Sequence, residues 1–274
     1  MPKSYGHRVA LSSSRKFMCD LLHFAKQVPG VPMQRHMQLA KLVAARAALP
    51  QRVYWSAIFL KAYSIVSADR PELRRSYLNW PWPHLYQHAQ NIASFGIERF
   101  HEDEEAVFFA RIPRPELQSL KELDREIKRL KSAPLDQVPS FRHALLLNKF
   151  PLPVRRFLWW LGLSTEGRRR AQFFGTFGIS VVASLGAAGL HLLSPLSTTL
   201  NYGAFEEDGS LDVRLVYDHR VIDGANVARA MAALEEVLNG EILEELQALA
   251  APPKPRYVRT EFETSSLQAA YSVS

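Results

Sequence analysis

The stretch that most constrains the fold runs from Leu211 to Leu238. Leu211, Val213, Leu215 and Tyr217 alternate with other residues as a half-buried strand does, and Val227, Met231, Leu234 and Leu238 then recur at helical spacing. Between them lies Tyr217-Asp218-His219-Arg220-Val221-Ile222-Asp223-Gly224, which sets a histidine where the strand ends and an aspartate four residues later. A scaffold of this kind can present an imidazole to a cleft as a general base. On spacing alone, a histidine at a strand end is more often a structural residue.

The same reading along the chain predicts helices over Arg15–Gln27, Met33–Ala48, Trp55–Asp69, Pro115–Lys131, Gly224–Asn239 and Glu241–Leu249. It predicts strands over Ile92–Phe100, Ala106–Ile112, Thr176–Val182, Thr198–Phe205 and Leu211–Tyr217. Glu207-Asp208-Gly209-Ser210 supplies a hairpin turn, and His101-Glu102-Asp103-Glu104-Glu105 reads as an exposed hairpin loop rather than a metal site. The expected architecture is α/β, a two-layer sandwich with a mixed β-sheet.

Length and composition fit one large domain over 1–250: 274 residues, 47% of them hydrophobic, can bury a substantial core. The single Cys19 cannot form an internal disulfide, which points to a reducing compartment. No apolar run reaches the roughly 18 residues of a membrane span and no signal-peptide core opens the chain, so a cytoplasmic protein is expected. The net charge of +7 is dispersed, which argues against nucleic acid as partner, and Arg168-Arg169-Arg170 is its one dense cluster. That cluster reads first as a solvated helix face and second as a phosphate site.

Asp218-His219-Arg220-Val221-Ile222-Asp223-Gly224 resembles the DHRxxDG signature of the dihydrolipoyl acyltransferase catalytic domain of 2-oxo acid dehydrogenase complexes, and is similar to the HHxxxDG version in chloramphenicol acetyltransferase. Other segments follow in the family's order. Ser14-Arg15-Lys16-Phe17 opens an early helix, Val53–Ala62 resembles the buried helix ahead of the family's Pro-Glu-Leu/Phe segment, here Arg70–Arg74, and Gly175-Thr176-Phe177-Gly178-Ile179-Ser180 resembles the Gly-Thr-Phe-Thr-Ile-Ser strand. The resemblance spans about Arg15 to Leu246, and no lipoyl or subunit-binding segment is read ahead of it, so a stand-alone member is expected.

This resemblance implies acyl transfer from a thioester directly to a hydroxyl, amine or thiol, with His219 as base and no acyl-enzyme intermediate. It implies Ser180 as the oxyanion donor, with Ser184 as the other candidate, and an ion pair between Arg15 and Asp223 that holds the histidine loop. Asn201 and Tyr202, on the strand before the motif, and Trp80 and Trp82, in Asn79–His84, are candidate substrate-binding residues; each also reads as plain packing. The implied unit is a homotrimer with its site between subunits. No bound cofactor and no metal are expected; coenzyme A thioester is the expected co-substrate, and an acyl carrier protein is the second candidate donor. The competing readings are a component acting in trans on lipoyl groups and a noncatalytic trimeric scaffold.

Two regions depart from the family pattern. From Ala133 to Phe174 the connection is longer than expected and carries Phe157-Leu158-Trp159-Trp160-Leu161-Gly162-Leu163 between Arg155-Arg156 and the arginine triplet. Trp159 and Trp160 there either pack on the domain, meet a membrane interface as a peripheral contact, or cover a tunnel for an apolar acyl donor or lipid acceptor. After Ala251, Pro252-Pro253-Lys254-Pro255 ends the last helix and the remainder reads as a flexible tail over 251–274.

Overall fold

The computed structural model describes residues 6–250 apart from Val182, Ser184, Leu185 and Ala188. The expected tail over 251–274 lies outside the described residues. The elements are α1 (Ser13–Ala25), β1 (Gly30–Gln38), α2 (Ala40–Ala47), α3 (Trp55–Asp69), β2 (Arg75–Leu78), β3 (His84–Gln87), β4 (Ile92–His101), β5 (Glu104–Pro113), α4 (Leu120–Ser132), α5 (Pro139–Leu147), α6 (Leu152–Ser164), α7 (Gly167–Phe174), β6 (Phe177–Ile179), β7 (Thr198–Tyr202), β8 (Ser210–Asp218), α8 (Gly224–Asn239) and α9 (Glu241–Ala250). Six strands form one mixed sheet in the order β1-β8-β7-β6-β4-β5, and β2 pairs with β3 in a separate hairpin. The β4–β6 and β6–β7 pairs are parallel, and the other neighbours in the large sheet are antiparallel.

Local chemistry accounts for these elements. Ser119 and Glu122 form a reciprocal capping box at the start of α4, whose Leu120, Leu123, Ile127 and Leu130 fall on one buried face. Helix α3 buries residues all round, Ile58, Phe59, Leu60, Tyr63 and Val66 among them, and is therefore central. Glu102 and Asp103 both take positive φ, the conformation of a two-residue turn whose twist matches its flanking strands, and they join β4 to β5.

One predicted helix is corrected. Met33 to Gln38, read as the start of a helix ending at Ala48, belongs to β1, and only Ala40–Ala47 is helical. The four-residue spacing of Met33 and Met37 imitates a helix. β1, however, is an edge strand with most residues exposed or half-buried, so the alternation that marks a strand is missing. Pairing with β8 decides the matter, in register from Gly30 opposite Asp218 to Gln38 opposite Ser210. The hairpin of β2 and β3 was also not legible, because each strand has only four residues.

The two faces of the sheet carry different layers. Phe95, Ile97, Phe108, Ala110, Phe177, Ile179 and Leu200, together with Val213 and Leu215 of β8, pack with α3, α4, α8 and α9 into the main core. On the other face, α1 and the helices of the 133–174 connection build a second cluster from Leu21, Phe24, Ala25, Trp159 and Leu163, with Phe17, Phe109 and Phe174 against it. The expected two-layer sandwich is thus extended by a partial third layer. Its helices are tied by a buried ion pair, Arg155 Nε donating to Asp20 Oδ2 at 2.6 Å, between α6 and α1.

Candidate active site

The backbone of the turn after β8 is hydrogen-bonded at every residue from Asp218 to Ile222. Asp218 is buried and accepts from the Arg220 backbone N–H at 3.0 Å and from Arg220 Nε and Nη2 at 3.0 and 2.8 Å, while its own N–H donates to the Ser197 carbonyl at 2.8 Å. The Arg220 guanidinium lies 4.2 Å from the centre of the Tyr77 ring. Val221 and Ile222 are buried and donate their backbone N–H groups back to the Asp218 carbonyl. The His219 backbone N–H reaches the Pro29 carbonyl at 3.3 Å. Its imidazole stays about half exposed, at 51%, with Nδ1 at 3.8 Å from Asp223 Oδ1, beyond hydrogen-bonding range. A fixed loop thus holds out an accessible base.

Beneath this turn lies a buried polar cluster. His88 shares a hydrogen bond with Ser76 at 3.0 Å, and burial, with Arg170 and Arg74 nearby, lowers its pKa to about 4. Arg170, the third arginine of the triplet, is buried rather than solvated: Nη1 donates to Leu163 O and Nη2 to Pro195 O, and burial lowers its pKa to about 10 against the attraction of Asp218. Arg169 pairs loosely with Glu166 at 3.7 Å, and Arg168 is exposed.

The expected Arg15–Asp223 ion pair is not formed within this chain. Arg15 faces Glu104 at 3.6 Å, beside Ser12 and Ser14, which also donate to that carboxylate and hold it below the usual range. The reason is the direction of α1. Its N-terminus is fastened to the tip of the β4–β5 hairpin, and its C-terminus leads into β1 beside the His219 loop. At about 1.5 Å per residue, the helix separates those two ends by roughly 15–20 Å.

Ser180 follows β6 and extends its ladder, donating its N–H to Leu200 O at 3.1 Å. It is half-buried and lies on the wall of a cavity of about 560 Å³. Within one chain Ser180 and His219 are apart. The register puts Ser180 level with Asn201 and His219 level with Leu196, two strands over, a backbone separation of roughly 15–20 Å. Ser184 lies outside the described residues.

The other candidates divide by face. Asn201 points to the second face, is buried, and has no hydrogen-bond partner for either side-chain polar atom among the described residues; the Thr199 hydroxyl is likewise unpartnered. Tyr202 points the opposite way, stacking on Phe59 at 4.1 Å in the main core, so it is packing and not part of the cavity wall. Trp159 is buried and lines the cavity, whereas Trp160 turns outward against Trp80 and Phe157. Trp80 and Trp82 are exposed and do not line the cavity. Sequence reasoning missed Ser94, Phe109 and Arg111 in this wall; the alternation in β4 and β5 puts them on the face away from the core and was the available signal.

The strand order and the packed helices place the chain in the α/β class. It is similar to three solved structures in particular. A probable dihydrolipoamide acetyltransferase from Listeria monocytogenes is 19% identical over 85% of this chain and 94% of its own, with a TM-score of 0.60. The dihydrolipoamide acetyltransferase of Azotobacter vinelandii, in which a serine, a histidine and an asparagine were investigated for their catalytic roles, is 19% identical over 88% and 95%, with a TM-score of 0.62. A truncated catalytic core of the 2-oxoacid dehydrogenase complex from Thermoplasma acidophilum is 17% identical over 86% and 99%, with a TM-score of 0.63. The chain therefore has the fold that its sequence resemblance implied. No family model matches it, and no curated protein sequence does.

Proposed function

We propose that this chain is an acyltransferase that moves an acyl group from a thioester, coenzyme A or carrier-bound, directly to a hydroxyl, amine or thiol. The observation that carries this reading is the His219 turn: a strand end whose backbone is hydrogen-bonded from Asp218 to Ile222 and which holds out a half-exposed imidazole. The Azotobacter enzyme supports it, since the asparagine investigated there follows its histidine at the same four-residue spacing at which Asp223 follows His219.

In this reaction His219 takes the proton of the acceptor X–H as X attacks the thioester carbonyl. The C=O electrons move onto oxygen, and the Ser180 hydroxyl donates to that oxyanion. Collapse breaks the C–S bond, and the departing thiolate recovers the proton from the imidazolium. Because one chain keeps His219 and Ser180 roughly 15–20 Å apart, the complete site combines the histidine of one copy with the serine of another, as in a homotrimer.

The test is thiol release from an acyl-thioester over a panel of acceptors, dihydrolipoamide included, for wild type and His219→Ala. A loss of about 10²–10⁴-fold is expected, with circular dichroism and oligomeric state unchanged because the side chain is half exposed. Equal thiol release by both proteins would reject His219 as the base. Transfer confined to dihydrolipoamide would identify a component acting on lipoyl groups.

A further inference from the structure

We infer that the cavity under α5, α6 and α7 holds the alkyl chain of a medium- or long-chain acyl donor, with its thioester carbonyl at Ser180; this rests on the acyltransferase reading above. The floor of the cavity is the second face of the sheet. There the register aligns Arg111, Ser94, Gly178 and Thr199 across β5, β4, β6 and β7. Ser180 stands one step further along the same face, beside Gly96, whose added Cβ would come within 3.7 Å of the Ser180 hydroxyl.

Gly178 is where this chain departs from the motif it resembles. The related strand reads Gly-Thr-Phe-Thr-Ile-Ser, and here the fourth residue is glycine. A Cβ at this position would stand 3.0 Å from Thr199 Oγ1 and 3.3 Å from Leu196 Cδ1, so glycine lets Thr199 and Leu196 pack close against β6 and form this part of the cavity floor themselves.

The roof comes from the second departure, the long 133–174 connection. Ala144 and Leu147 of α5, Trp159 and Leu161 of α6 and Phe174 of α7 close over the floor, and Phe17 and Leu21 of α1 complete one side. These surfaces are apolar. The polar groups at the wall are few and lie at its margin: Arg111 donates to the Phe173 carbonyl at 2.8 Å, and Arg169 lies 3.7 Å from Glu166.

Size and direction then select the ligand. A cavity of about 560 Å³ is far larger than an acetyl group needs. A methylene takes up about the space of a water molecule, roughly 30 Å³, so the cavity has room for an acyl chain on the order of 15 carbons. If the carbonyl sits at the Ser180 hydroxyl, whatever lies behind it on the acyl side enters this space, and an apolar lining favours hydrocarbon by about fourfold per buried methylene.

The experiment measures binding, so that it stands apart from the reaction. Acetyl-, octanoyl- and palmitoyl-coenzyme A are titrated by calorimetry, below micelle-forming concentrations, into wild type, His219→Ala, Ala144→Trp and Leu161→Trp. Affinity should rise by at least 100-fold from acetyl to palmitoyl in wild type and equally in His219→Ala, whose altered residue is outside the cavity. Each tryptophan variant should lose at least 10-fold for palmitoyl-coenzyme A, and two variants on different helices guard against one failing to fold. A flat response to chain length in wild type, or a steep one that survives both folded tryptophan variants, overturns the assignment. Chain-length-dependent binding without any transfer would reject the proposed reaction and keep the cavity as an acyl-chain site.

Discussion

The two faces of one sheet follow opposite rules. On the main-core face, Phe95, Phe108, Phe177, Ile179, Leu200, Val213 and Leu215 are large, apolar and buried. On the other face, the inner strands β4, β6 and β7 present Ser94, Gly96, Gly178, Thr199 and Asn201, small or polar residues, two of which leave buried polar atoms unpartnered among the described residues. Close packing stabilises the first face, whereas the second keeps volume empty and polar groups uncommitted, which is costly for stability. Such a face is explained by a ligand more readily than by folding.

The contrast can be broken most forcefully at Phe177. Truncation to alanine on the packed face should cost about 3–5 kcal/mol, read as a drop in the urea midpoint. Thr199→Val, one strand away on the open face, removes a hydroxyl without a partner and should be neutral or slightly stabilising. If both substitutions destabilise alike, the two faces do not differ in the way described.

An intermediate effect comes from His88. Its folded pKa of about 4 lies below the ordinary value of 6.5, so at pH 5 the unfolded chain binds a proton that the folded chain does not. Stability is therefore fully present above about pH 6.5 and is lost as the pH falls toward 4, by on the order of 3 kcal/mol. Urea melts at pH 7, 5.5 and 4.5 should show a steeper fall in wild type than in His88→Gln. Equal slopes would remove His88 from the acid response.

The smallest effect is expected at Arg15. Its contact with Glu104 is exposed and long, so Arg15→Ala should leave the melting temperature within error and turnover within about twofold of wild type. A large loss of turnover in a folded Arg15→Ala protein would mean that the arginine reaches the histidine loop in the assembled protein.

How much was legible depended on whether a signal was local. Helices α3 and α8 have their sequence-derived limits, and β4, β5 and β8 fall within one or two residues of theirs, because each carries a strong period between turn or cap residues. β1 was misread because an edge strand has little to bury and so no alternation to show. In the candidate site, the strand-end position of His219 was legible for the same local reason. Trp159 was singled out, but that it faces inward while Trp160 faces Trp80 depends on how α6 lies on the sheet.

The sequence by itself determined the α/β class, the two long hairpins and the turn that presents His219, since each follows from residues adjacent in the chain. Only the tertiary structure decided that Arg15 meets Glu104, that Arg170 is buried, that Ser180 and His219 are far apart in one chain, and that Ser180 lines a cavity beneath α5–α7. The physical reason is that those outcomes depend on strand register and on the direction of packed helices, which are fixed by pairings between residues distant in sequence.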